Sequence, residues 1–149
     1  MRAVVTRVKS ASVTIEGRRS GEIGQGLLIL LGVGPEDTPS TCHKMADKIL
    51  GLRIFHDEQG KMNRSLADEG GQVLVVSQFT LYGNCRKGRR PSFTGAAAPE
   101  LAEALYEQFL LDCQERGFPP QHGQFGADMQ VASVNDGPVT LWIDSAELA

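Results

Sequence analysis

The run Leu27-Leu28-Ile29-Leu30-Leu31 constrains this chain more than any other segment. It carries apolar side chains at every position, so a strand formed here is apolar on both faces and must be covered on both. The pattern recurs further on, where Val73-Leu74-Val75-Val76 makes a second buried strand that leads directly into Ser77-Gln78-Phe79-Thr80-Leu81. Two such strands need a sizeable core. The chain has 149 residues, of which 41% are hydrophobic and 22% charged, which fits one globular domain over residues 1–149. At this length a single core buries about two thirds of the unfolded surface without disulfide support.

The flanking segments set the fold class. Val4, Thr6 and Val8 share one face of an extended segment, whereas Ala11, Val13 and Ile15 share a face in the opposite phase. No strict period of two serves both sets, so a bulge or bend is expected near Lys9-Ser10. Gly17 to Gly21 reads as a turn carrying Arg18 and Arg19. Thr38-Pro39 reads as a helix start, N-cap then first helical position, with Cys42, Met45, Ala46, Ile49 and Leu50 on one face and Lys44, Asp47 and Lys48 on the other. Phe55 to Gly71 is polar and glycine-rich, and reads as mostly loop. Pro99 opens a second helix with Leu101, Leu105, Phe109 and Cys113 as its core stripe, stopped by Gly117, Pro119 and Pro120. Met129 to Val134 runs up to a turn at Asn135-Asp136-Gly137, after which Val139, Leu141 and Ile143 alternate with Thr140, Trp142 and Asp144. Strands and helices do not alternate regularly. The expectation is an α/β protein with a curved, mainly antiparallel, barrel-like sheet and two principal helices packed on it.

Charge and cysteine content narrow the function. A net charge of −3 argues against a surface that grips nucleic acid everywhere, though it allows a local basic patch. Three cysteines without regular spacing argue for reduced thiols in a cytoplasmic protein. The N-terminal segment lacks the apolar run of a signal peptide, and Leu27 to Leu31 is too short to span a bilayer, so no membrane association is expected. His43, His56 and His122 are dispersed, no Cys-x-x-Cys pair occurs, and the adjacent Cys42 and His43 diverge on a helix. Cys42 is expected in the core, His43 in solvent, and no metal or cofactor is expected. No Gly-x-Ser-x-Gly elbow occurs, and Gly32-Val33-Gly34-Pro35 reads as a turn rather than a phosphate loop. Cys85, beside Arg86 and Lys87, reads either as a thiol nucleophile or as an incidental loop cysteine.

Two features remain, each with two readings. Ser77-Gln78-Phe79-Thr80 ends a buried strand, where hydroxyls and backbone N–H groups are held rigidly enough to bind an oxyanion. The same hydroxyls can instead satisfy backbone groups at a turn. Gly137-Pro138 is either an ordinary trans turn or one of the about 5–6% of X-Pro bonds that are cis. The dense basic run Arg86-Lys87-Gly88-Arg89-Arg90 reads equally as a contact for RNA phosphates or as a solvated loop, and Phe79 and Phe93 as base-stacking rings or as core.

Taken together, these segments resemble the D-aminoacyl-tRNA deacylases, also called D-tyrosyl-tRNA deacylases. The resemblance spans the chain. It runs from Met1-Arg2-Ala3-Val4-Val5 through Leu52-Arg53-Ile54-Phe55, Val75-Val76-Ser77-Gln78-Phe79-Thr80-Leu81-Tyr82 and Arg86 to Phe93. It ends with Phe125-Gly126-Ala127-Asp128-Met129 and Asn135-Asp136-Gly137-Pro138-Val139-Thr140. The resemblance implies a homodimeric hydrolase that cleaves D-aminoacyl-tRNA at its 3′ acceptor end, in translation quality control, without a metal, cofactor or DNA partner. It implies that Ser77, Gln78, Phe79 and Thr80 form the catalytic wall. Gly137 and Pro138, through a cis bond, would enter the partner's site and reject L-amino acids, with Met129, Phe125 and Arg7 as further selection residues. Glycine, lacking a side chain, would also be accepted. Arg7 would fix the proline segment by a guanidinium-to-carbonyl hydrogen bond. Arg86, Lys87, Arg89 and Arg90 would meet the tRNA. Thr80 as a covalent nucleophile is the competing mechanism, with no evident base to activate it.

Overall fold

A computed structural model describes residues 1–149. Its organising element is β1 (Arg2–Ile15), a strand whose phase changes part-way. On one edge it pairs antiparallel with β8 (Gln130–Asp144) along nearly its whole length. On the other edge its first half pairs with β3 (Gly26–Gly32) and its second half with β2 (Arg18–Ile23), both antiparallel. The β1–β8 register shifts between Thr6 and Val8 and again between Val8 and Ser10, which places the expected irregularity at Lys9-Ser10. Its consequence is that Val8, Ala11 and Val13 all face one small core with Ile23, Leu28, Leu74 and Val76. The opposite face of β1 is buried as well, with Ala3 and Val5 fully enclosed.

The sheet is mixed. β6 (Gln72–Ser77) runs parallel to β3, and the two-residue β7 (Gln121–His122) runs parallel to β6. Parallel neighbours require long crossovers, and these are supplied by α1 (Pro39–Leu50) and α3 (Pro99–Glu115). Strand and helix therefore alternate through β3, α1, β6, α3 and β7, an order hidden in the sequence by the insertions on each crossover. The Ser20 hydroxyl donates to the His122 carbonyl at 3.1 Å, bringing β2 against β7 and nearly closing a barrel. Gly26 shows how tightly β3 and β6 converge: a Cβ there would collide with the Gln72 carbonyl oxygen.

The larger core lies between the sheet and the helices. Cys42, Met45, Ala46, Ile49 and Leu50 of α1 face it, with Thr38 capping the helix and Pro39 opening it. From α3, Leu105, Phe109 and Cys113 are buried as expected. Leu101 is only half-buried, whereas Tyr106 and Asp112 join the buried face. The carboxylate of Asp112 is tolerated because His43, Gln108 and Arg116 surround it, at 2.9, 3.0 and 3.6 Å. His43 is thus exposed but hydrogen-bonded, not free in solvent.

Three further expectations change. The tip between β1 and β2 is Glu16-Gly17, both at positive φ, so Arg18 already belongs to β2. Phe55 to Gly71 contains a small hairpin, β4 (Phe55–His56) and β5 (Met62–Arg64), then the short α2 (Leu66–Glu69), capped by Ser65 and ended by Gly70 in the left-handed region. Asn135-Asp136-Gly137 is not a turn between two strands but an interruption inside the single strand β8. There the Asn135 side chain accepts from the Val139 N–H at 3.0 Å and donates to the Thr140 hydroxyl at 2.8 Å, standing in for ladder bonds lost at the bulge.

Candidate active site

β6 ends at Ser77, and the chain passes into a 3-10 turn, Phe79–Tyr82. The Gln78 N–H is used by the sheet, donating to the Leu31 carbonyl at 2.8 Å. The N–H groups of Phe79 and Thr80 open the turn and so have no acceptor within it. Neither donates to a side chain or to a carbonyl of any turn, loop or cap. Two adjacent free donors therefore stand at the carboxyl end of a buried strand.

Beside them is an apolar cavity of about 330 Å³, walled by Ser77, Phe79, Phe93, Ala97, Phe125 and Gly126 among others. None of its lining side chains titrates. The Phe79 and Phe93 rings meet edge to face at 5.3 Å at its rim, both partly exposed. The Thr80 hydroxyl is hydrogen-bonded to the Gln78 amide and has no imidazole, amine or carboxylate partner. Tyr82, in the same turn, is no base either, since burial pushes its hydroxyl up to about 12. Larger grooves elsewhere are lined mainly by charged or polar groups, such as the one between Arg53 and Asp68. The apolar lining makes the smaller one the candidate site for an organic ligand.

The basic run begins where this turn ends. Asn84 and Ser92 pair through their backbones at 2.7 and 2.9 Å, pinching residues 85–91 into a projecting loop. Its stems continue to Phe79 and Phe93, which touch. The base of the loop thus adjoins the cavity rim, and Arg86, Lys87, Arg89 and Arg90 within it are all exposed and none is paired with a carboxylate. Cys85 is exposed in the same loop.

Gly137 and Pro138 lie elsewhere in the same chain. Their peptide bond is cis, and Gly137 has φ +127°. The buried Arg7 guanidinium donates to the Asp136 carbonyl at 3.1 Å and to the Ile54 carbonyl at 2.6 Å. A Cβ on Gly137 would meet that guanidinium at 2.9 Å. Ser77 pairs with Leu31 and Leu31 with Ala3, whereas Gly137 sits in the bulge that falls opposite Arg7, between the Thr6–Thr140 and Val8–Asn135 pairs. The offset is about 13 Å along the strands and about 14 Å across the three strand spacings from β6 to β8, or roughly 20 Å in all. Phe125 lines the cavity and packs against Tyr106, the ring centres 6.0 Å apart and the planes tilted by 45°. Met129 does not line it; it packs over Gly123 and Val13 against the smaller core.

A family model described as D-Tyr-tRNA(Tyr) deacylase matches residues 4–144. The chain belongs to this family. Among its relatives, a D-aminoacyl-tRNA deacylase of Desulfatibacillum aliphaticivorans is 61% identical, covering 97% of this chain and 99% of that one. A D-aminoacyl-tRNA deacylase of Thermosipho africanus is 55% identical over 99% of each chain. A solved structure described as a c-Myc DNA unwinding element binding protein superposes with a TM-score of 0.91 at 44% identity, over 97% of this chain and 98% of that one. A probable eukaryotic D-amino acid tRNA deacylase shares the fold, with a TM-score of 0.82 at 17% identity. The two segments singled out in the sequence are thus the turn at the cavity and the bulge in β8. Nothing in the sequence singles out Asn135 as the clamp of that bulge, since its role depends on how β8 pairs with β1.

Proposed function

We propose that this protein hydrolyses the ester joining a D-amino acid, or mischarged glycine, to the 3′ end of tRNA, releasing the free amino acid and tRNA. The observation that carries the reading is the pair of free N–H groups of Phe79 and Thr80 beside an apolar cavity with no titratable wall. The names of the full-length relatives point the same way. The aminoacyl ester is already activated, so a positioned water and an oxyanion site are sufficient chemistry. Water adds to the carbonyl carbon, and the two N–H groups hold the oxygen as it becomes negative. The tetrahedral intermediate then collapses, breaking the bond to the ribose oxygen. The proton lost by the attacking water passes to that leaving oxygen, relayed by the neighbouring ribose hydroxyl. No metal takes part.

Chirality is read by exclusion. Gly137 and Pro138 of one subunit enter the cavity of a second copy and present backbone to the substrate's amino group and Cα. An L-side chain collides with that backbone; a D-side chain points away, and glycine has nothing to collide. Two observations support an arrangement between subunits. The separation of roughly 20 Å keeps the segment from its own chain's turn. The outer edge of β8 is unpaired, and the strand exposes Val131, Val134 and Trp142 at 41%, 54% and 51%. An edge of this kind is suited to burial against another copy. The four cations of the 85–91 loop hold the acceptor-end phosphates.

Incubation with D-Tyr-tRNA, with and without EDTA, tests the chemistry. Release of D-tyrosine, unchanged by EDTA and by Cys85→Ala, is expected. Binding without turnover would instead indicate a tRNA-end binding module, and loss of activity in Cys85→Ala a thiol hydrolase. Sedimentation on dilution tests the assembly: a monomer with full activity would sink the cross-subunit arrangement.

A further inference from the structure

The Phe79–Tyr82 turn is too short to hold itself. The bonds that start and end it are Leu81 N–H to the Gln78 carbonyl at 3.2 Å and Gly83 N–H to the Thr80 carbonyl at 2.9 Å. Such 3-10 turns have poor hydrogen-bond geometry and persist where something outside anchors them. On one side the anchor is the end of β3 and the loop after it: a Cβ on Gly32 would meet the Gln78 carbonyl oxygen at 2.9 Å, and one on Gly34 the Tyr82 hydroxyl at 2.7 Å. On the other side it is Arg2, at the start of β1. Its Nη1 donates to the Leu81 carbonyl at 3.0 Å and its Nε to Asp144 Oδ2 at 3.2 Å. Its guanidinium carbon lies 4.3 Å from the Tyr82 ring centre and 5.6 Å from that of Trp142.

We infer that Arg2 is a positioning residue for catalysis: clamped by Asp144, Tyr82 and Trp142, it fixes the turn whose first two N–H groups bind the ester oxygen. The inference rests on the oxyanion reading given above. Arg2 does not line the cavity. It grips the second half of the turn, while the free donors belong to the first half. The geometry needs arginine, because one group must present separate N–H donors to a carbonyl and a carboxylate while offering a flat face to an aromatic ring. Lysine, a point charge on a flexible stem, cannot do all three. The clamp also ties the turn to β8, the strand that carries Gly137 and Pro138.

The test is single-turnover cleavage of D-Tyr-tRNA by Arg2→Met, which keeps the stem and loses the guanidinium. Small displacements of reacting groups cost up to about 10²-fold. The expected loss is therefore about 10- to 100-fold in the rate constant, with the half-saturating tRNA concentration changed less than about threefold. Arg2→Lys should fall between the two, and should take the place of Arg2→Met if that variant does not fold. The loss must act through the turn's donors, so in a Phe79→Pro background, which removes one of the two, the same Arg2 change should cost less than it does in the wild-type turn. A folded Arg2→Met with the wild-type rate, or a loss undiminished in the Phe79→Pro background, overturns the inference while leaving the oxyanion reading intact. Equal rates for Phe79→Pro and Phe79→Ala overturn both.

Discussion

Replacing Phe79 by proline deletes one of the two free N–H donors without asking the backbone to move. Position 79 opens the 3-10 turn, where proline is tolerated. Gln78 before it has φ −146° and ψ 76°, outside the α region that proline forbids to its predecessor. Phe79→Ala is the matched control, since it removes the same ring and keeps the N–H. That ring is 55% exposed, so the control forfeits less than half of full burial. Full burial of a phenylalanine is worth roughly 1.5–3 kcal/mol, which sets the control's cost in stability near 1 kcal/mol. Loss of one oxyanion donor costs about 2.7–4 kcal/mol of transition-state stabilisation, or 10²–10³ in rate. In single-turnover cleavage of D-Tyr-tRNA, Phe79→Ala should stay within about tenfold of wild type, and Phe79→Pro should be slower than the control by a further ~10²–10³. Circular dichroism should be unchanged in both. If the two variants cleave at the same rate, the backbone donor does not stabilise the transition state and the oxyanion reasoning is wrong.

Thr80→Ala should retain activity within about tenfold, because the hydroxyl has no base beside it and only its N–H is used; abolition by alanine and restoration by serine would make the hydroxyl a reactant. Arg7→Met should leave the Asp136 and Ile54 carbonyls without their donor and lower stability by roughly 2–4 kcal/mol, read as a fall in Tm. By loosening the β8 bulge, it should also raise cleavage of L-Tyr-tRNA. Burial pushes the thiols of both Cys42 and Cys113 up to about 12, from an ordinary value of 9.0. The folded state thus holds these protons more tightly than the unfolded one. Their contribution is fully present below pH 9 and is lost as pH rises toward 12. At pH 8 a chromogenic disulfide reagent should therefore find only the exposed Cys85 until the protein is unfolded; rapid reaction of all three thiols in the native state would contradict this.

Much of the fold was legible in the sequence because the strongest signals are local. The unbroken apolar runs became β3 and β6, and the Thr38-Pro39 start produced a capped helix with the expected buried face. The phase change in β1 was visible because period-two alternation cannot absorb an extra residue. The parallel crossovers were not visible, since nothing local distinguishes a strand that will pair parallel from one that will pair antiparallel. β4 and β5 are so short and exposed that their composition is that of a loop. The buried Asp112 was unreadable for a related reason: a carboxylate on an apolar helix face is acceptable only if His43, Gln108 and Arg116 arrive to meet it, and His43 comes from another helix. At the candidate site, Ser77 to Thr80 and Gly137-Pro138 were both identifiable as segments. Which N–H groups are free could not be read, because that depends on Leu31 claiming the donor of Gln78. Arg2 carried no signal at all, since the carbonyl it grips lies 79 residues away.

The most direct measurement compares single-turnover rate constants for D-Tyr-tRNA and L-Tyr-tRNA with the unmodified protein at one enzyme concentration. Rapid release of D-tyrosine, with L-Tyr-tRNA decaying no faster than in buffer, is the result expected if Phe79 and Thr80 cleave the ester and Gly137-Pro138 shut out the L-side chain. Release of both enantiomers at similar rates would contradict the exclusion wall, and release of neither would contradict the deacylase reading itself.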